Sequence, residues 1–173
     1  PKLAGAIRVG RQPTSLADGD IPAFESTVLL VLNSGDSTLM AIDVGSTSAF
    51  KHGVLKSTKP GSGAVSVVIE QSGGSCWLST PRGATRIDMG TFTADAQVQV
   101  ASGLGSIDLD RKTGQVLYGV NGEVDGVGMD VGQGSPSFGR GLAQIQPPSP
   151  ASAGASGPSG PVLNVGSLDA TQH

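Results

Sequence analysis

Histidine and cysteine, the side chains that most often act as bases, nucleophiles and metal ligands, are scarce in this chain of 173 residues. The histidines are His52 and the terminal His173, and Cys76 is the single cysteine. A hydrolase with a histidine base would have to use His52, although no nucleophile-elbow motif accompanies it. We expect Cys76, which adjoins Trp77, to be a small buried residue. These residues cannot complete a zinc site, and we predict neither a metal nor a cofactor.

One short segment resembles a known phosphate-binding motif. Residues 41–47 have the sequence Ala-Ile-Asp-Val-Gly-Ser-Thr. This segment resembles the first phosphate motif of the sugar-kinase and actin-like ATPase superfamily, and the resemblance implies a phosphate and metal site at Asp43, Gly45, Ser46 and Thr47. It covers only these residues, whereas the superfamily has longer chains with two α/β domains. The alternative, which we favour, is a strand that ends in a glycine-containing turn.

The acidic residues suggest cation sites or paired catalytic carboxylates. Asp108, Asp110 and Gly114 partly match a calcium loop, but Thr113 and Gly119 stand where an EF-hand requires glycine and glutamate. We therefore predict a hairpin turn there. An incidental cation site is the weaker hypothesis for three other acidic residues: Glu123, Asp125 and Asp130. A glycosidase would need two of Glu25, Glu70 and Glu123, with Trp77 and Tyr118 as the large aromatics available to stack on a sugar.

A related tripeptide occurs three times along the chain. It is Asp43-Val44-Gly45, then Asp130-Val131-Gly132, then Asn164-Val165-Gly166. The spacings of 87 and 34 residues are unequal, so the tripeptide does not define a solenoid repeat. We interpret it as a recurring turn at strand ends, with internal duplication as the alternative.

The elements that position these residues are predicted to be strands. The strongest is the apolar run 27–32, which forms a hairpin with 38–44. Turns are predicted at Gly73-Gly74, at 110–114, where the glycine comes last, and at 17–20 and 124–127. The glycine-rich segment 133–146 is predicted to be irregular. Further strands are predicted over 63–70, 75–80, 84–89, 96–101, 106–109 and 115–120.

Composition favours sheets over helices. The chain has 27 Gly and 11 Pro, which disfavour helices, and only 3% aromatic residues. We predict an all-β fold with almost no helix: an antiparallel β-sandwich or β-barrel, jelly-roll-like, with extended N- and C-terminal arms. The expected division is an arm over 1–22, a β domain over 23–146 and a C-terminal arm over 147–173.

The C-terminal arm is low in complexity until its apolar tip. Residues 147–161 contain only Pro, Ser, Ala and Gly, which cannot bury enough apolar surface to offset their ordering entropy. We predict that the arm binds a neighbouring subunit, and that deleting 147–173 weakens assembly while the core still folds. The alternative that composition alone favours is a frayed tail. The predicted contact residues are Pro147, Pro148, Pro150, Pro158, Pro161, Val162, Leu163, Val165 and Leu168.

Charge and length narrow the class of function. The net charge is −3 and only 14% of residues are charged, so we expect no nucleic-acid partner and a surface that packs against neighbours. No apolar run suits a membrane span or a signal peptide, and we expect folding in a host cytoplasm.

These features favour a structural role over an enzyme. The first hypothesis is a phage or viral structural subunit, most specifically a capsid decoration protein located in the virion. Its partners would be copies of itself, as a trimer or higher oligomer, and a larger shell or tail. The alternatives are a tail- or fibre-associated binding module for host surfaces or carbohydrate and, third, a His52-dependent hydrolase.

Overall fold

A computed structural model describes residues 6–45, 52–100, 103–110, 113–121, 125–132 and 135–145. Over these ranges the chain forms twelve strands and one 3-10 helix, Pro22–Phe24, so the predicted all-β class is confirmed. No helix in the described part has the length and apolar content that crossing a membrane requires. The strands are β1 Pro13–Ile21, β2 Ser26–Asn33, β3 Thr38–Asp43, β4 Val54–Thr58, β5 Ser66–Ile69, β6 Ser75–Thr80, β7 Gly83–Asp88, β8 Thr93–Gln99, β9 Ile107–Leu109, β10 Val116–Asn121, β11 Asp125–Asp130 and β12 Gly141–Ile145.

The strands form three antiparallel sheets of four strands each. Their orders are β1-β2-β3-β4 in sheet 1, β5-β6-β7-β8 in sheet 2 and β12-β11-β10-β9 in sheet 3. Strands that are consecutive in sequence are therefore neighbours in each sheet. A jelly roll requires Greek-key crossovers, and the order of the described strands refines the predicted class to three consecutive meanders.

The hairpin of β2 and β3 is the element that the sequence predicts best. Its paired residues include Leu30 with Ala41 and Leu32 with Leu39, all of which are buried. A run rich in apolar and β-branched residues is suited to a strand covered on both faces. The predicted hairpin is confirmed, to within a residue at its ends.

The first strand corrects the prediction of a turn at 17–20. These residues belong to β1, which pairs with β2 in continuous register from Ser15 to Ile21. The extended segment predicted over 1–22 thus includes a sheet strand. Aspartate and glycine favour turns locally, but pairing with an apolar neighbouring strand outweighs that preference.

Sheet 3 contains two further strands where the sequence predicts a turn or irregular chain. The predicted turn at 124–127 overlaps β11, and β12 lies within the segment 133–146. Both are glycine-containing strands that pair in the order β10-β11-β12. Glycine weakens a strand, and here pairing with β10 supplies the register that composition does not. Sheet 1 also contains β4, for which the sequence gives no prediction.

Two apolar cores lie between the three sheets. The core between sheets 1 and 2 includes Leu30, Leu39, Cys76, Leu78 and Ile87. The second core, between sheets 2 and 3, is built around a central tryptophan and consists of Trp77, Ala84, Val98, Leu104, Ile107, Leu109, Leu117, Met129 and Val131. Sheet 2 therefore has both faces covered, one by each neighbouring sheet.

The first strands of the sheets lie side by side. The strand β5 contacts β1 on one side and β9 on the other. Successive four-stranded meanders that stack face to face around their first strands are arranged like consecutive blades of a β-propeller. In this arrangement sheet 2 has sheet 1 on one face and sheet 3 on the other, whereas sheets 1 and 3 lie at the two ends of the stack in the described part of the chain.

Candidate functional site

The three sheets can be compared residue by residue because their central hairpins match. The second strands end at Asn33, Thr80 and Asn121, immediately before the turn. Counting back three residues gives an equivalent set, Leu30, Trp77 and Tyr118. Their cross-strand partners, Ala41, Arg86 and Gly128, are likewise equivalent. The burial of equivalent positions can therefore be compared between sheets.

We call the face that contains Leu30, Trp77 or Tyr118 the forward face of its sheet, and the opposite face the rear face. Leu30 on the forward face of sheet 1 packs in the same core as Cys76 on the rear face of sheet 2. Trp77 on the forward face of sheet 2 packs in the same core as Leu117 on the rear face of sheet 3. Both internal interfaces therefore pair a forward face with a rear face.

The rear face of sheet 1 has no sheet against it in the described part of the chain. Leu16 pairs with Val31 on this face and is 62% exposed, whereas Val31 and Ile42 are buried. Its equivalents by register, Val67 and Ile107, are only 6% and 8% exposed because each packs in an internal core. A cavity of about 760 Å³ lies on the face, and most of its lining is apolar: Ile7, Val9, Pro13, Leu16, Leu29, Val31 and Ile42, with Thr14 and Ser15.

The forward face of sheet 3 also has exposed apolar residues and no sheet against it in the described part of the chain. Tyr118 is 43% exposed, whereas Leu30 and Trp77 at the equivalent positions are completely buried. Val120, two residues further along β10, is 44% exposed, whereas its equivalents Leu32 and Ser79 are buried. The described part of the chain therefore has, at the two ends of its stack of sheets, apolar faces at positions that are covered inside the stack.

A groove of about 490 Å³ runs across the first strands of all three sheets. Its apolar lining includes Leu16 from β1, Val68 from β5 and Leu109 from β9. Carboxylates stand along it at Asp18 and Asp108, both of which are exposed. The groove combines an apolar floor with negative charge, a combination that suits a ligand with both apolar and cationic groups.

The first strands are also joined by hydrogen bonds from one sheet to the next. The Val67 backbone N–H donates to Ser15 Oγ at 3.2 Å. The Ile107 backbone N–H donates to Ser66 Oγ at 3.4 Å. In both cases a serine hydroxyl of one sheet accepts a hydrogen bond from the next sheet, and the donating residue is the equivalent of Leu16 in that next sheet.

The predicted phosphate motif is a structural turn where the structure describes it. Asp43 is buried at the end of β3, and its Oδ1 accepts from Ser26 Oγ at 2.6 Å and from the Gly45 N–H at 3.0 Å. A Cβ at Gly45 would lie 2.3 Å from Ser26 Oγ, so a larger residue there would have to displace this hydroxyl from Asp43. Ser46 and Thr47 lie outside the described residues.

An aspartate that accepts a backbone N–H ends the third strand of each sheet; the donor is two residues on in sheets 1 and 3 and three residues on in sheet 2. Asp88 Oδ1 accepts from the Thr91 N–H at 2.8 Å, and Asp130 Oδ1 accepts from the Gly132 N–H at 2.9 Å. The tripeptide Asp88-Met89-Gly90 divides the 87-residue spacing into 45 and 42 residues. It differs from the other two because methionine replaces valine, so the Asp-Val-Gly pattern does not include it. That near-regular period is the signal of repeated four-stranded blades. Asn164-Val165-Gly166 lies outside the described residues.

Asp130 also accepts hydrogen bonds from two serines that follow it in the chain. Its Oδ2 accepts from Ser135 Oγ and Ser137 Oγ, both at 2.5 Å. These two bonds, together with the weaker effect of the Gly132 N–H, hold the pKa of Asp130 below its ordinary value. Among the described residues, no cluster of three or more acidic, histidine or cysteine side chains is arranged to hold a metal ion. Glu123 and the side chain of Asp125 lie outside the described part.

Cys76 and His52 occupy different environments. Cys76 is completely buried in the core between sheets 1 and 2, where burial raises the pKa of its thiol far above the ordinary value. A thiol held neutral in this way is a poor nucleophile. His52 is exposed before β4, and its backbone N–H donates to the Asp43 carbonyl at 2.7 Å. His173 lies outside the described residues.

The two large aromatics expected on a sugar-binding surface are separated by burial. Trp77 is buried, and its Nε1–H donates to Glu70 Oε1 at 3.0 Å, so Glu70 also has a structural role. Glu25 is exposed after the 3-10 helix. Only Tyr118 of the two aromatics therefore presents its ring to solvent.

The predicted calcium-like segment forms a hairpin turn. The Gly114 N–H donates to the Asp110 carbonyl at 2.7 Å, and Gly114 adopts the left-handed φ of 65°. Asp110 Oδ2 also accepts from the Thr113 N–H at 3.1 Å, while Asp108 Oδ1 accepts from the Leu109 N–H at 2.9 Å. The predicted turn is confirmed. The nine arm residues predicted as assembly contacts, from Pro147 to Leu168, lie outside the described residues.

Comparison with known proteins gives a likeness of fold alone. No family model and no curated protein matches the sequence. Among solved structures, "Kuenenia stuttgartiensis Hydrazine Synthase" matches with a TM-score of 0.64 and 16% sequence identity. The match covers 84% of this chain and 41% of that one, so this chain spans less than half of its neighbour's length. A fold shared at this identity does not carry a function with it.

Proposed function

We propose that this chain is a structural protein that works by assembly with other protein subunits. One observation carries the proposal: Leu16 and Tyr118 are exposed at positions whose equivalents in the other sheets are buried. Apolar surface that repeats the chemistry of an internal interface gains free energy when another sheet covers it.

The setting we propose is a viral or phage particle, with a capsid decoration protein as the most specific form. The weakly charged composition and the segment 147–173, with its apolar tip, support a subunit that packs against a shell and against its own copies. In that setting the open sheet faces and the C-terminal arm supply two separate kinds of contact.

The assembly proposal is tested by the mass of the purified full chain in solution. Light scattering across a range of concentrations is expected to show association. A Tyr118→Ser variant is expected to associate more weakly, because it removes apolar surface from the open forward face. A chain that remains at its monomer mass of 17.2 kDa at every concentration would contradict the proposal.

A second candidate is a binding module that uses the groove across the first strands. The observation in its favour is that β1, β5 and β9 all line one groove, with Asp18 and Asp108 exposed beside apolar residues. A tail- or fibre-associated module for a host surface would use such a groove. Binding to immobilised glycans or to cationic peptides is expected to fall in an Asp18→Asn, Asp108→Asn double variant, and equal binding by both proteins would exclude the groove.

A further inference from the structure

The two open faces of the chain are opposite halves of one kind of interface. Inside the stack, the forward face of sheet 1 meets the rear face of sheet 2, and this pairing recurs between sheets 2 and 3. The faces left over in the described chain are the rear face of sheet 1 and the forward face of sheet 3. These two faces lie at opposite ends of the stack, so they could meet within one chain only if its sheets formed a closed ring. In a pair of chains, each face can pack on the complementary face of the other chain.

We propose that two copies of this chain associate head to tail, with the rear face of sheet 1 in each copy packed on the forward face of sheet 3 in the other. This inference rests on the proposed assembly function and names its partner. Leu16 would enter the environment that buries Val67 and Ile107, and Tyr118 would enter the one that buries Leu30 and Trp77.

A hydrogen-bonding series along the first strands supports the same pairing. The hydroxyls of Ser15 and Ser66 each accept a hydrogen bond from a backbone N–H of the next sheet. Each of these serines is paired with the penultimate residue of the second strand of its own sheet. Ser106 is the equivalent serine of sheet 3. Its carbonyl accepts a hydrogen bond at 3.1 Å from the N–H of Val120, which is the penultimate residue of β10. Ser106 is exposed. In the proposed pair its hydroxyl accepts the backbone N–H of Leu16 from the second copy.

The number of sheets favours two copies. Rings of four-stranded sheets typically contain about four to eight of them. The described parts of two chains bring six sheets, whereas those of three chains would bring nine. A two-fold axis also makes the two new interfaces identical, so Leu16 of each copy contacts the same set of residues in the other copy. The proposed oligomer is thus a dimer, whereas the sequence alone favours a trimer or higher oligomer, and the mass in solution distinguishes the two.

The test uses one charged substitution on each open face and a matched control. Leu16→Glu changes the rear face of sheet 1, and Val120→Glu changes the forward face of sheet 3. The control is Val65→Glu, because Val65 is 43% exposed and Val120 is 44% exposed, but Val65 precedes β5 and lies away from both open faces. Sedimentation velocity on the full chain measures association, and circular dichroism measures folding.

We expect the unmodified chain and Val65→Glu to form a species of twice the 17.2 kDa chain mass. Leu16→Glu and Val120→Glu should each raise the dissociation constant by at least about tenfold. An equimolar mixture of these two variants should associate more tightly than either alone, since one mixed junction then joins two unmodified faces. If one variant fails to fold, the other still tests the inference, because each head-to-tail junction needs both faces.

Three results would overturn the inference. A dimer that persists in either single variant would show that like faces pair, and assembly would stand while the head-to-tail pairing fails. A larger oligomer that depends on Leu16 and Val120 would likewise retain assembly and exclude the ring of six sheets. A monomer at every concentration would remove both the inference and the proposed function.

Discussion

Trp77 and Tyr118 occupy the same position in neighbouring sheets and have opposite surroundings. Trp77 is buried between sheets 2 and 3, and its indole N–H is bonded to Glu70. Tyr118 has no sheet in front of it in the described chain and is 43% exposed. Both residues stand three positions before the end of the second strand of their sheet, so the difference arises because sheet 3 covers the forward face of sheet 2. Burial in this fold is therefore set by stacking order.

The largest effect should come from emptying the internal position. Trp77→Ala removes a buried side chain and leaves Glu70 without its donor, and we expect it to lower the free energy of unfolding by about 3–5 kcal/mol. Tyr118→Ala, measured in the same urea titration at low protein concentration, should change it by about 0.5 kcal/mol or less. Equal losses at the two positions would contradict the distinction between internal and open faces.

A second pair of substitutions compares a crowded glycine of sheet 2 with an open glycine of sheet 3. Gly83 has a φ of 130°, and an added Cβ would lie 2.0 Å from the Val98 carbonyl oxygen. Gly114 has a φ of 65° with open space around it. We expect Gly83→Ala to lower the unfolding free energy by at least about 2 kcal/mol, and Gly114→Ala by about 1 kcal/mol. Thermal unfolding of both variants measures the order, and the reverse order would refute the close approach at Gly83.

The strand-end aspartates should make stability depend on pH. Hydrogen bonds from Ser135 and Ser137 hold the pKa of folded Asp130 below its ordinary value of 3.8. Because the folded pKa is lowered, this stabilisation is present above the ordinary value and is lost as pH falls through the folded value. Asp130→Asn should therefore be less stable than the unmodified protein at neutral pH, and the difference should shrink below about pH 4. A difference that stays constant across that range would contradict the role of the charge.

The smallest expected effect has the opposite sign. Ser79 is buried on the forward face of sheet 2, and its hydroxyl has no hydrogen-bond partner among the described residues. Its equivalents Leu32 and Val120 are apolar. We expect Ser79→Ala to leave the unfolding free energy unchanged or to raise it by up to about 1 kcal/mol. A loss of more than that amount in urea unfolding would show that the hydroxyl has a partner in solution.

Local patterns predict the elements of this fold, and the order of the sheets decides what its surfaces do. The β2–β3 hairpin and the turn at Gly114 can be predicted from apolar runs and turn residues. The strand β1 contains a turn-like sequence, and only pairing with β2 makes it a strand. Asp88 is the middle aspartate of the strand-end repeat. The pattern is harder to recognise there because methionine follows Asp88, whereas valine follows Asp43 and Asp130. Nothing in the local sequence distinguishes Tyr118 from Trp77, because only the stack covers one and leaves the other open.

The central claim is that the open faces are covered when the protein assembles. Hydroxyl-radical footprinting across a concentration series measures this directly at Leu16 and Tyr118, with Val65 as an exposed reference away from both faces. We predict that modification of Leu16 and Tyr118 falls together as concentration rises, while modification of Val65 stays constant. Modification of Leu16 and Tyr118 that does not change with concentration, in a chain that remains monomeric, would contradict the account.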